Sequence, residues 1–506
     1  MHPICNTAYS GLLLIIYISP KLCFFTNFGG IYFFIMSKFI GRKYELNILQ
    51  ESLHNSKSEL IAIYGRRRVG KTFLIREFFR KHLAFEVSGL YNGNMNDQIR
   101  NFTHEIHKKD RALKSETPAD WLASFSLLET YLNKLKKPGK KVIFIDEFPW
   151  MATARSKFLM AFENFWNHYC TKRKDLIVVI CGSAASYMIQ KIIKNKGGLH
   201  NRITRQIRLL PFNLGETQLF LKSRGIDYTL YDITQIYMAM GGVPHYLEKL
   251  RKGASVAQNI DHLCFEKDGT LRNEFNRLYA SLFDDSEKHL TIIKTLANSN
   301  KGITRLELAR QSGIASGGDL SLKLEELIES GFISEYPYYG NKKQLTLYRL
   351  SDEYSKFYLK FIQNHRNSGS GTWQKLYKSS SYISWAGFSF ETLCLKHITQ
   401  IKRTLRIDAI FSTNSSWFNE VAQIDLLINR DDNIMNQCEI KFYNAPFTID
   451  KQYYLNLKNK TAALQQATQT RKNIFITMIT TFGLNENKYS HELVQNSIAL
   501  EDLFTD

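Results

Sequence analysis

The sequence has no two cysteines at CxxC spacing. Its seven cysteines, at 5, 23, 170, 181, 264, 394 and 438, are scattered and odd in number. That argues against a zinc ribbon or a disulfide framework and suits a reducing cytoplasm. Long apolar runs are missing too. Residues 12–18 and 31–35 are apolar, but Pro20, Lys21 and Gly29-Gly30 separate them, and neither run reaches the roughly 18 residues of a membrane span. No Lys or Arg precedes the first run, so the basic start of a signal peptide is lacking. No stable membrane association is expected. Soluble patterning begins at Ser37, so Met36 is the expected start and residues 1–35 a non-native or disordered extension, with a membrane anchor as the alternative. Acids are scarce as well. Against 67 Lys and Arg stand 47 Asp and Glu, a formal charge of +20. This excess favours a polyanionic partner over a neutral one. The 506 residues suffice for about three domains.

What is present begins at Leu60. The run Leu60-Ile61-Ala62-Ile63-Tyr64 leads into Gly65-Arg66-Arg67-Arg68-Val69-Gly70-Lys71-Thr72 and then Phe73 to Phe79, apolar at helical spacing. A glycine, four free positions and Gly-Lys-Thr form a phosphate-binding loop. Gly65 and Gly70 let successive N–H groups face one anion. The helix that opens near Lys71 adds its positive end. Lys71 reaches the β and γ phosphates, and Thr72 can ligate Mg²⁺. About 75 residues on, Val142-Ile143-Phe144-Ile145 ends in Asp146-Glu147. Four apolar residues followed by two acids read as a buried parallel strand with carboxylates at its C-terminal edge. Asp146 is expected to hold Mg²⁺ and Glu147 to orient the attacking water. A third apolar strand, Leu176 to Cys181, ends in Gly182-Ser183. Ser183 is expected either to touch the γ phosphate or its water, or to cap a helix.

These elements, with Phe39-Ile40-Gly41-Arg42, Arg202-Ile203-Thr204 and Gly241-Gly242-Val243-Pro244, resemble the archaeal-type ATPases of the P-loop superfamily, near the AAA+ and STAND branches, over residues 39–250. The resemblance implies ATP and Mg²⁺ as cofactors. It also implies an arginine finger for a neighbouring copy, hence a homo-oligomer through Arg202, with Arg205 and Arg208 as rivals.

Residues 286–350 carry three short helical patterns and two strands around Tyr339 to Lys343, which resembles a winged helix-turn-helix. Its third helix is acidic, so Lys342 and Lys343 on the wing are the better phosphate contacts; DNA contact and a purely structural or regulatory module are both expected readings. Asn367 to Gly371 reads as a flexible linker. Beyond it a helix carries Glu391, a strand carries Asp425, and a return strand carries Glu439 and Lys441 on one face. Hairpin pairing can bring Asp425 beside Glu439. Two acids that hold a metal and a lysine that positions water are what Mg²⁺-assisted phosphodiester hydrolysis needs. The order Glu391, Asp425, Glu439, Lys441 resembles the PD-(D/E)XK restriction-endonuclease-like fold. It also resembles the domain of unknown function found behind archaeal-type ATPases. The three acids are the expected metal set there and Lys441 the catalytic lysine.

The expected fold class is α/β: a P-loop NTPase parallel sheet (36–215), a helical lid (216–285), a winged helix-turn-helix (286–365) and a C-terminal α/β nuclease-like domain (385–506). The expected function is a cytoplasmic Mg²⁺-dependent ATPase coupled to nucleic acid, DNA before RNA. The alternative is a non-cleaving nucleotide switch with a degenerate nuclease domain.

Overall fold

The computed structural model describes residues 39–136, 138–183, 187–194, 197–199, 201–283, 285–299, 301–340 and 345–505. The expectations about residues 1–35, Met36, Lys342 and Lys343 lie outside them. The protein is α/β. Its first sheet holds β1 (Glu59–Tyr64), β2 (Leu83–Ser88), β3 (Lys141–Asp146), β4 (Leu176–Gly182) and β5 (Arg205–Arg208), all parallel, in the order β2-β3-β4-β1-β5. The three central strands β1, β3 and β4 are buried along their whole length. That is why they read as unbroken apolar runs and not as alternation. The edge strands β2 and β5 are only partly buried and carry Glu86, Arg205 and Arg208, so their mixed polarity hides them in the sequence. β4 lies between β1 and β3. Its C-terminal end therefore falls between the loop after β1 and the acids after β3.

Past Phe212 the chain turns helical, from Leu214–Ser223 to Glu274–Ala280. Gly242 fixes this entry. Its carbonyl accepts from the Phe212 N–H at 2.7 Å, and a Cβ there would lie 1.9 Å from the Phe212 carbonyl oxygen. Three helices, Ser286–Ala297, Arg305–Ser312 and Gly318–Glu329, then accompany a small antiparallel sheet of β6 (Ile303–Thr304), β7 (Ile333–Pro337) and β8 (Thr346–Leu350), ordered β6-β8-β7.

The segment that reads as a linker is a tight turn. Thr372 Oγ1 donates to the Gly369 carbonyl at 2.5 Å, and the Trp373 N–H donates to Asp261 Oδ1 at 2.7 Å. Trp373 is buried against Phe265, Phe357 and Phe361. The glycines and serines serve the turn's geometry, and the tryptophan behind them anchors it.

The second large sheet contains β9 (Ser412–Phe418), β10 (Gln423–Arg430), β11 (Ile434–Lys441), β12 (Asn473–Thr480) and β13 (Val494–Ile498). Its order is β13-β12-β11-β10-β9; β10 is antiparallel to both neighbours, and β11, β12 and β13 are mutually parallel. The Ser380–Lys396 helix covers one face and carries Glu391. One apolar cluster runs from Phe212 through Ile293, Leu327, Phe357 and Trp373 to Leu426, Ile440 and Leu503. The helical region, the three-stranded sheet and the C-terminal sheet thus share one core. β7 also continues onto the edge of the second sheet, where the Tyr339 N–H donates to the Ser416 carbonyl at 2.9 Å. Among the described residues no helix is long and apolar enough to cross a membrane.

Candidate functional site

The loop between β1 and the Lys71–Phe78 helix is the front site. Gly65 at φ +138° and Gly70 at φ +94° take backbone conformations that favour glycine. Lys71 is buried, and its Nζ donates to the Gly65 and Arg66 carbonyls at 2.8 and 2.9 Å. These are bonds that phosphate oxygens can replace. Burial draws its pKa below the usual lysine value, with Cys181, Glu147 and Asp146 opposing. Thr72 Oγ1 donates to Asp146 Oδ2 at 2.7 Å. A hydroxyl and a carboxylate at that separation are hard oxygen donors of the kind Mg²⁺ takes. Glu147 leaves β3 in a left-handed conformation at φ +45°. That turn carries its carboxylate to the end of β4, where Ser183 Oγ donates to it at 2.8 Å and the Ser183 N–H at 3.2 Å. Lys71, Thr72, Asp146, Glu147 and Ser183 therefore form one connected group.

The loop's arginines point elsewhere. Arg66 is buried; its guanidinium lies over Phe332 and pairs with Asp352. Burial opposes its charge, but Asp352 beside it holds its pKa above the ordinary value. Asp352 in turn caps the Glu353–Phe357 helix, accepting from the Ser355 N–H at 2.8 Å. Arg68 pairs with Glu274 at 2.9 Å, and the Arg67 guanidinium sits 5.7 Å from the Trp150 ring. Arg42 braces the loop from behind, donating to the Val69 carbonyl at 3.2 Å and the Leu210 carbonyl at 2.7 Å. Sequence reasoning missed Asp352 and Glu274 as partners. Asp352 had a signal, an acid three residues before Ser355 at a helix start; Glu274 had none. Arg202 is exposed on the turn before β5. Its rivals have partners within the chain: Arg205 meets Glu51 at 3.4 Å, and Arg208 donates to the Glu329 carbonyl at 3.0 Å.

The rear site lies on the second sheet. Leu426 is opposite Cys438, so Asp425 and Glu439 are neighbours across β10 and β11. Glu439 is 1% exposed. It accepts from Lys441 at 3.0 Å, from Lys460 at 2.8 Å and from the Tyr453 hydroxyl at 2.7 Å. Burial would raise its pKa; Lys441 and Lys460 hold it below the usual value instead. Asp425 is raised by burial and by Glu439. Glu391 is pushed up to about 8 by burial and by Asp425. Among the described residues no three His, Cys, Asp or Glu side chains are disposed to hold a metal ion. Asp425 lies beside both Glu391 and Glu439, but the two lysines occupy Glu439, the acid that would anchor the expected metal set. Lys460 was missed in the sequence. Its signal was the seven-residue spacing from Tyr453, two turns along one helix face.

A loop that presents amides and a lysine, followed by an Asp-Glu strand end with a serine between, defines a P-loop ATPase. Residues 39–250 match the family described as an ATPase domain predominantly from Archaea, and residues 358–460 match archaeal and bacterial proteins of unknown function. The chain belongs to this archaeal-type ATPase family and is an ATP-binding ATPase-domain protein. It is similar to an uncharacterized protein of Methanocaldococcus jannaschii, 26% identical over 83% of this chain and 91% of that one. It is also similar to an uncharacterized ATP-binding protein of the same organism, 23% identical over 50% of this chain and 81% of that one. Among solved structures it is similar to a Walker-type ATPase of Pyrococcus abyssi, 18% identical, with a TM-score of 0.46 over 64% of this chain and 97% of that one.

Proposed function

We propose that the front site hydrolyses ATP and that its nucleotide state controls the C-terminal half. The convergence of Lys71, Thr72, Asp146, Glu147 and Ser183 is the observation that carries this reading. The loop amides and Lys71 bind the β and γ phosphates. Mg²⁺ held near Thr72 and Asp146 would supply charge neutralisation across those phosphates. Glu147 orients water for in-line attack, and Ser183 keeps its carboxylate aimed. An exposed Arg202 can complete the site of a second copy in a homo-oligomer. Coupling to the C-terminal half runs through Arg66–Asp352 and Arg68–Glu274.

For that half, the winged-helix arrangement of residues 286–365 and the Asp425, Glu439, Lys441 order favour nucleic acid, DNA before RNA. The grip of Lys460 on Glu439 favours the second reading, a non-cleaving switch. The test is ATP binding by calorimetry and phosphate release on the full chain. Lys71→Ala is expected to lower ATP affinity about 100-fold. Glu147→Gln is expected to keep binding and lower hydrolysis by about 10²–10⁴-fold. Unchanged ATP affinity in Lys71→Ala overturns the reading. Plasmid cleavage with Mg²⁺ or Mn²⁺ that is lost in Lys441→Ala, with ATPase kept, selects the nuclease over the switch.

A further inference from the structure

A cavity of about 410 Å³ lies where the end of the Ser286–Ala297 helix, the segment 356–364 and the Ser380–Lys396 helix meet. Neither site described above includes it. Its charged lining residues are Lys356 and Lys360; no acid among the described residues lines it. The neutral polar lining includes Asn298, Ser384 and Ser389, and Leu296, Trp385 and Phe388 add apolar surface. Trp385 is 7% exposed, and its indole N–H is buried without a hydrogen-bond partner. Lys356 is bonded to the Thr392 hydroxyl and has no carboxylate partner among the described residues. Facing it are Arg349, Glu353, Lys396 and Glu391. Of these, Glu353 is already paired with Lys396, and Arg349 is spent on the Lys301 carbonyl and the Ser416 hydroxyl. Burial, with Arg349 next, lowers the Lys356 amine to about 7. The surroundings thus hold more positive charge than they neutralise.

We propose that this cavity binds a small organic phosphate monoester, its dianionic head between Lys356 and Lys360 and its apolar or planar body against Trp385 and Phe388. Two ammoniums match the roughly −1.5 to −2 charge of a phosphate monoester at neutral pH better than the single charge of a carboxylate. The volume is in the range of small-ligand pockets, about 300–1,000 Å³, so an inorganic ion alone leaves the apolar wall unused. Through Thr392 the bound head would adjoin Glu391 of the rear site.

The test uses the full chain carrying Lys71→Ala, so that the phosphate loop does not compete. Phenyl phosphate, uridine 5′-monophosphate, benzoate and inorganic phosphate are titrated by calorimetry. Saturable binding of phenyl phosphate, at least about tenfold tighter than benzoate and inorganic phosphate, is expected. Tighter uridine monophosphate binding assigns the body to a nucleotide, and tighter phenyl phosphate binding to a simpler ring; both support the site. Affinity is expected to fall between about pH 7 and pH 9, where the phosphate stays dianionic and Lys356 loses its proton. Lys356→Gln should lower affinity at least about tenfold and flatten that pH profile, and Lys360→Gln should lower affinity while the profile remains. Absence of saturable phenyl phosphate binding overturns the proposal, as does an unchanged affinity and pH profile in Lys356→Gln. Inorganic phosphate or benzoate binding as tightly as phenyl phosphate also overturns it.

Discussion

Each of the two sites combines a lysine with two neighbouring acids, and the wiring differs. At the front, Lys71 lies on two backbone carbonyls while Asp146 and Glu147 are held by the hydroxyls of Thr72 and Ser183. Neutral partners leave both signs of charge available, the amine for phosphate and the carboxylates for a cation or a water. At the rear, Lys441 and Lys460 both sit on Glu439. The charges there satisfy each other, and a cation has to displace an ammonium before it reaches the carboxylate. The same residue types thus make a site open to ligand in one place and a self-neutralised cluster in the other. What decides is the side chain on the adjoining element: a serine at the end of β4, or a lysine on the Lys451–Thr468 helix.

The comparison breaks most visibly if the two halves are independent. Arg66 and Asp352 join them through a buried ion pair. Removing one member leaves an uncompensated buried charge, which costs about 3–5 kcal/mol. Arg66→Ala is therefore expected to lower the urea midpoint by the equivalent of about 3–5 kcal/mol and to uncouple ATP binding from hydrogen exchange in residues 352–396. Arg66→Met with Asp352→Leu should recover most of the stability and none of the coupling. Full coupling in the double variant would show that the signal takes another route.

The front site was largely legible because its chemistry is local. Eight consecutive residues set the loop, and two acids at a strand end mark the third strand of the sheet. Ser183 was legible in position but ambiguous in role, since a serine after a strand can equally cap a helix; its contact with Glu147 depends on β4 lying between β1 and β3, which no local pattern states. The rear site was half legible. Glu439 and Lys441 share a face by strand alternation, but Lys460 reaches them from a helix 21 positions on. The Arg66 pairing was illegible, because the partners are 286 positions apart and an arginine inside a phosphate loop reads as a phosphate contact. The edge strands β2 and β5 escaped because their charges break the apolar pattern, and β9 escaped because its run of Ser, Thr and Asn does the same.

Glu391 sharpens the contrast through pH. Its folded pKa of about 8 stands above the ordinary 4.5, so the folded chain holds this proton more tightly than the unfolded chain. The associated stability is complete below about pH 4.5 and is lost as pH rises through about 8. Glu391→Gln keeps the shape and removes the ionisation. The variant is expected to be more stable than the wild type by about 1–3 kcal/mol at pH 9 and nearly equal to it at pH 5, measured by urea unfolding at each pH. An equal difference at both pH values would place the Glu391 carboxyl in solvent, not beside Asp425.

The smallest expected effect separates the two sites by sign. Lys460 contributes one of the two ammoniums on Glu439, and its loss frees a carboxylate that stays buried and hydrogen-bonded to Tyr453. Lys460→Ala is expected to raise Mn²⁺ affinity at the rear site about tenfold, followed by calorimetry in a Lys71→Ala background. At the front, Thr72→Ala removes a neutral oxygen donor and is expected to weaken Mg²⁺-dependent ATP binding by a similar factor. A lysine that blocks and a hydroxyl that assists must respond in opposite directions. If Mn²⁺ binding weakened in Lys460→Ala, Lys460 would be supporting the acids and not competing with the cation, and the two sites would differ in degree only.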